Sequence, residues 1–113
     1  MTTLYGINNC DTIKKTRALL TEAGIDYSFH DYKKLGCDAS LVKEFLKHFD
    51  YKALVNTRGT TWRKLPESTK EALSKASSVK LMSENPSLIK RPIIESEGVW
   101  LLGFDKEKIQ ALS

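Results

Sequence analysis

Thr2–Ile7 (TTLYGI) is a short run of β-forming residues that stops at the polar pair Asn8 and Asn9, and Cys10 stands directly before a stretch of helical periodicity. This order of strand, turn and helix constrains the fold more than any other feature, because a second strand follows it. From Asp11 to Ala23 the apolar positions Ile13, Ala18, Leu19 and Leu20, with the stem of Arg17, fall at helical spacing. Gly24 then supplies a C-cap free of the Cβ penalty. Ile25–Tyr32 (IDYSFHDY) alternates, with Ile25, Tyr27 and Phe29 on one side and Asp26, Ser28 and His30 on the other. The three segments form a βαβ unit, whose strands are expected to be parallel and joined by a right-handed crossover.

The middle of the chain has a different period. Asp38–Phe49 reads as a helix with Leu41, Val42, Phe45, Leu46 and Phe49 on its buried stripe. Leu65–Ala76 reads as another, opened by Pro66 with Glu67 in the first turn, and Ser78–Lys90 as one or two short helices interrupted near Pro86. Strand character returns at Pro92–Ser96 and Gly98–Leu102, and the short link between them predicts a tight antiparallel hairpin. Asp105 is placed to cap a last helix over residues 105–112. The order βαβ, helical block, ββα predicts an α/β chain of thioredoxin-like plan. Its expected core is a four-stranded mixed sheet flanked by helices, within one domain covering 1–113 and carrying a helical insertion at about 36–90.

The totals narrow the function classes. With 113 residues, 41% of them hydrophobic, the chain has the material for a core. A net charge of +4 suits an anionic small molecule and is too mild to ask for nucleic acid. The longest apolar run is VWLL, far short of a membrane span, and MTTLYGINN has neither a basic start nor an apolar signal core. Two cysteines cannot make a disulfide scaffold. These features predict a soluble cytoplasmic monomer with reduced thiols. Cys10 and Cys37, with His30 and His48 on separate elements, lack ligand spacing, so no metal is expected.

In an α/β sheet, ligands gather beyond the carboxyl ends of parallel strands. Cys10 lies there, at the start of a helix whose first N–H groups, around Asp11, Thr12 and Ile13, have no partner within the helix. Those groups favour an anion, so the Cys10 thiol is expected to ionise below its ordinary value of about 8.5. Lys14 and Lys15 add positive charge, Asp11 opposes it, and Asn8 and Asn9 are candidates for shaping the turn or donating to the sulfur. Ile13 occupies the place of the second cysteine of a dithiol motif, so the second thiol must come from elsewhere, from glutathione or another protein. Cys37 is an intramolecular alternative, though its place at a loop-to-helix boundary suits a bystander. Two arginines in loops, Arg58 before Gly59 and Arg91 before Pro92, are candidate oxyanion forks, completing an anion site if both loops reach the sheet end that carries Cys10.

YGINNCDTIKK, NTRG, KRPII followed by a hairpin, and LLGFDKEKI together resemble the arsenate reductase (ArsC)/Spx family along essentially the whole chain. NCDTIKK resembles in particular its small single-cysteine branch, called YffB. The resemblance implies a thioredoxin-like fold, a catalytic Cys10, anion-binding Arg58 and Arg91, and a cis-proline at Pro92. The family's third arginine falls at or beside Gly103, and this chain has none there. The implied function is a thiol-dependent, glutathione-linked oxidoreductase acting on an anionic small-molecule substrate, with no bound cofactor and glutathione as thiol co-substrate. One alternative is a genuine arsenate reductase coupled to glutathione and glutaredoxin. The other is an Spx-like regulator that binds RNA polymerase without catalysis; Ile13 removes the C-x-x-C switch of that branch.

Overall fold

The computed structural model describes residues 1–113. The chain divides into two units, Met1–Gly36 with Arg91–Ser113, and Cys37–Lys90.

The first unit is built on four strands, β1 (Thr2–Gly6), β2 (Tyr27–Asp31), β3 (Ile93–Ser96) and β4 (Val99–Leu102), in the spatial order β2-β1-β3-β4. β1 runs parallel to β2 and antiparallel to β3, and β3 pairs antiparallel with β4. Three helices belong to the unit: α1 (Asp11–Glu22), the single-turn α2 (Tyr32–Leu35) and, at the chain's end, α8 (Lys106–Gln110). α1 buries Ile13, Thr16, Leu19 and Leu20, one face of a 3.6-residue period. Ile13, Leu19 and Leu20 join Leu4, Ile25, Ile94 and Ile109 in one core, against which the half-buried Cys10 packs. Gly6 has no Cβ because Ile13 occupies that space; a Cβ there would overlap Ile13 Cδ1.

β2 starts two residues later than the alternation predicts. Gly24 takes left-handed backbone (φ 71°) and the Ile25 N–H returns to Leu20 O at 2.9 Å, so Ile25 still serves the helix end. β1 begins at Thr2, opposite Tyr27, so earlier residues have no strand to pair with. At the other end Asp31 accepts the Lys33 N–H (3.0 Å) and turns Tyr32 into α2. The β3–β4 hairpin turns through Glu97 and Gly98, both with positive φ (51° and 84°), the handedness a two-residue hairpin requires. Asp105 caps α8 by accepting the Lys108 N–H at 3.1 Å.

The second unit holds α3 (Ala39–Leu46), α4 (Tyr51–Leu54), α5 (Thr60–Arg63), α6 (Glu67–Glu71), α7 (Lys75–Glu84) and a 3₁₀ turn at Pro86–Leu88. α3 packs against α7, with Val42, Phe45 and Met82 fully buried. The helix expected over Leu65–Ala76 is two helices. Ser74 accepts the Ser77 N–H (3.1 Å) while Ser77 Oγ accepts the Ser74 N–H (2.9 Å), and this reciprocal cap starts a new helix where the apolar pattern alone suggests continuation. Val55 and Ile89 form a lone antiparallel bridge, flanked by Asn56 N–H to Leu88 O (2.7 Å) and Lys90 N–H to Leu54 O (2.8 Å).

Candidate active site

Cys10 stands at the N-cap of α1 in extended backbone (φ −149°, ψ 127°), and its own N–H is held by Asn8 O at 3.0 Å. Its side chain makes no cap hydrogen bond of full geometry. The pull on the sulfur is instead shared among several weaker contacts. Burial is the largest single influence and works against ionisation. The Ile13 N–H, the Arg91 guanidinium by hydrogen bond and by charge, and the Thr12 N–H together outweigh it, leaving the Cys10 pKa below its ordinary value. The thiolate is therefore favoured by a helix N-terminus and one guanidinium, the surroundings that make cysteines nucleophilic.

Arg91 is brought to the sulfur by its place just ahead of β3, where the Arg91–Pro92 peptide bond is cis. The buried Pro92 accepts the Gly103 N–H through its carbonyl at 2.8 Å, joining the chain before β3 to the end of β4. Gly103 itself has left-handed backbone (φ 84°), so this corner presents main chain and no guanidinium. Thr12 turns its carbonyl to the buried Thr16 hydroxyl, which donates at 2.7 Å, and leaves its N–H for the sulfur.

The other expected residues are placed differently. Lys14 is exposed and its main chain N–H donates to Cys10 O (3.0 Å); the positive charge acting on the sulfur is that of Arg91. Lys15 lies with its ammonium 4.3 Å from the centre of the Phe104 ring. Asn9 is exposed, and Asn8 Oδ1 accepts from Arg17 at 3.1 Å instead of Asn8 donating to the sulfur. Arg58 belongs to the second unit, exposed at the turn before α5, with its N–H held by Asn56 Oδ1 (3.2 Å). Cys37 is buried, and burial, with the Asp38 charge, pushes its thiol up to about 11.

Arg17 is the residue whose part the sequence understated. Its Nε donates to Tyr27 OH (3.0 Å), its NH1 to Asn8 Oδ1 (3.1 Å), and its guanidinium lies 4.8 Å from the Phe29 ring centre. Tyr27 and Phe29 share one side of β2 by the two-residue period, which is the signal that a cation on α1 would find an aromatic face opposite it.

A profile of the ArsC family matches residues 5–112. The chain belongs to the ArsC family. This ArsC-family chain is similar to the solved structure of a YffB protein (PA3664), at 40% identity and a TM-score of 0.94, covering 99% of this chain and 98% of that one. It is also similar to an arsenate reductase (ArsC) related protein from Brucella melitensis, 47% identical with a TM-score of 0.80, over 97% of this chain and 92% of that one. A curated relative, the global transcriptional regulator Spx of Streptococcus agalactiae, is 29% identical over 113 residues, covering 98% of this chain and 82% of its own length. The mixed sheet and its flanking helices are of the thioredoxin-like class. Ile13, fully buried in the core, occupies the place a second cysteine would need for a local dithiol pair.

Proposed function

We propose that the chain is a thiol oxidoreductase in which Cys10 is the nucleophile and glutathione the thiol co-substrate. The observation that carries this reading is the placement of a half-buried sulfur at the N-cap of α1, facing the Thr12 and Ile13 N–H groups and the Arg91 guanidinium, which favour its thiolate. Cys10 thiolate attacks the glutathione sulfur of a mixed disulfide; a Cys10–glutathione bond forms, the substrate S–S bond breaks, and the departing thiolate leaves with the electron pair and takes a proton from water. A glutathione thiolate then attacks the Cys10-linked disulfide, releasing Cys10 thiolate and glutathione disulfide. Arg91 holds the sulfur's charge at both ends of this cycle. An arsenate-like oxyanion is the less suited substrate, because the corner where the family's third arginine falls is the left-handed Gly103. Losing one such donor weakens oxyanion binding by about 1.5–3 kcal/mol, or roughly ten- to a hundredfold.

The test is turnover of a small uncharged disulfide with glutathione, run beside arsenate with glutathione and glutaredoxin. Disulfide turnover that vanishes in Cys10→Ser supports the reading; full turnover in that variant, or no Cys10–glutathione adduct in the wild type, overturns it. Similarity to Spx over 98% of this chain favours a second reading, a non-catalytic regulator that captures RNA polymerase. Polymerase capture undiminished by Cys10→Ser, together with no thiol turnover, would select it.

A further inference from the structure

Beside the Cys10 turn, the first unit has a cleft of about 260 Å³ lined by Asn8, Arg17, Phe29, Asp31, Lys34 and Leu35. Its volume lies below the roughly 300–1,000 Å³ of pockets that enclose a drug-sized ligand, so it suits one end of an extended molecule. Arg17 is held in place before any ligand arrives, by Tyr27 OH, Asn8 Oδ1 and the Phe29 ring. Two of its five N–H donors serve that scaffold, which leaves part of a rigid fork for a carboxylate. Lys34 adds a second, exposed cation. Asp31, also on the lining, is buried and accepts the Lys33 N–H through Oδ1 at 3.0 Å. Leu35, 66% exposed, offers an apolar wall to the ligand's stem.

We infer that this cleft binds the carboxylate-bearing end of a peptide thiol or disulfide whose sulfur reacts at Cys10. The inference rests on the thiol-exchange reading above and adds a recognition element, Arg17 with Lys34, on α1 and α2. Asn8 links the two places, since its carbonyl holds the Cys10 N–H (3.0 Å) and its side chain holds Arg17 (3.1 Å). Preorganised donors of this kind bind with less entropy lost than mobile surface lysines.

The experiment measures rates of mixed-disulfide formation on Cys10 by mass, with glutathione disulfide and with uncharged 2-hydroxyethyl disulfide. In each case Cys10 thiolate attacks one sulfur, the Cys10–S bond forms, the S–S bond breaks, and the leaving thiolate carries off the electron pair and is protonated by water. Arg17→Met is expected to slow glutathione disulfide about tenfold, the loss of a charged hydrogen bond, while the uncharged disulfide changes less than about twofold. Lys34→Gln, a change at an exposed residue, is expected to lower the same rate ratio by about two- to threefold. Lys33→Gln, an equal charge change outside the cleft, should leave the ratio as it is. Parallel slowing of both disulfides in Arg17→Met with no effect of Lys34→Gln would overturn the inference, as would an equal drop in the ratio for Lys33→Gln. If wild-type Cys10 reacts with the uncharged disulfide but no faster with glutathione disulfide, the cleft assignment fails while thiol exchange stands. If it reacts with neither, both fail.

Discussion

Arg91→Met removes a charge and leaves the fold's packing largely in place. The Arg91 stem runs close to the backbone at Gly6, and methionine keeps most of that apolar length. What disappears is the guanidinium, which acts on Cys10 both as a hydrogen-bond donor and as a charge. Burial then opposes ionisation with only the Ile13 and Thr12 N–H groups to counter it. A hydrogen bond to a charged group is worth about 1.5–3 kcal/mol, and one pKa unit corresponds to about 1.36 kcal/mol. Solvent screening around a half-exposed sulfur selects the lower end, about a tenfold loss of thiolate, so the Cys10 pKa should rise in the variant. Below both midpoints the alkylation rate should then fall about tenfold. The assay is iodoacetamide alkylation of Cys10 followed by mass against pH, with circular dichroism to show that the variant is folded. Arg91→Lys, which keeps a charge but loses the planar fork, should fall between the two. A folded Arg91→Met protein whose midpoint matches the wild type would refute the assignment of Arg91 to the sulfur.

The same lowered pKa has a consequence for stability. A thiol whose folded pKa lies below its unfolded value of about 8.5 contributes stability that is present above that unfolded value and is lost as pH falls through the folded pKa. The stability difference between wild type and Cys10→Ser should therefore grow with pH across that window and level off above it; a difference independent of pH in urea titrations would contradict the shift. Cys37, with its thiol pushed up to about 11, should resist alkylation at neutral pH, and Cys37→Ala should leave Cys10 kinetics unchanged. Gly6→Ala places a methyl against the fully buried Ile13 and should cost about 1–3 kcal/mol in thermal unfolding, the range for an overpacked core. Thr2 and Ser96 share a buried hydroxyl pair across β1 and β3 (2.6 Å), so Thr2→Val should cost about 1–3 kcal/mol by orphaning Ser96, and adding Ser96→Ala should recover part of it.

The sheet was legible because its strands differ in period from the helix between them, and Gly24 and Gly98 mark turns through residues suited to left-handed backbone. Cys10 could be placed at a strand-to-helix junction for the same reason. The N–H groups that act on its sulfur could be anticipated, since every helix begins with unpartnered donors. Arg91 was visible only as an arginine before a proline. Its approach to the sulfur depends on the entry into β3 and no local spacing encodes it. Lys14 misled by proximity in sequence: it lies one turn past the N-cap with an exposed side chain, and the charge that acts on the sulfur is that of Arg91. In the sequence Arg17 shows only an apolar stem on α1, and its polar end acquires meaning only once β2 lies alongside with Tyr27 and Phe29 facing it. The short helices α4 and α5, each of four residues, fall below the length at which periodicity can be recognised.

Everything turns on the ionisation of one sulfur. The direct measurement is the thiolate ultraviolet absorbance of Cys10 against pH in the Cys37→Ala protein, where no second thiol contributes. A midpoint clearly below the value of about 8.5 for a free cysteine is the result expected from the Ile13 and Thr12 N–H groups and the Arg91 guanidinium. A midpoint at or above it would mean that burial prevails at this site, and the nucleophile would be lost.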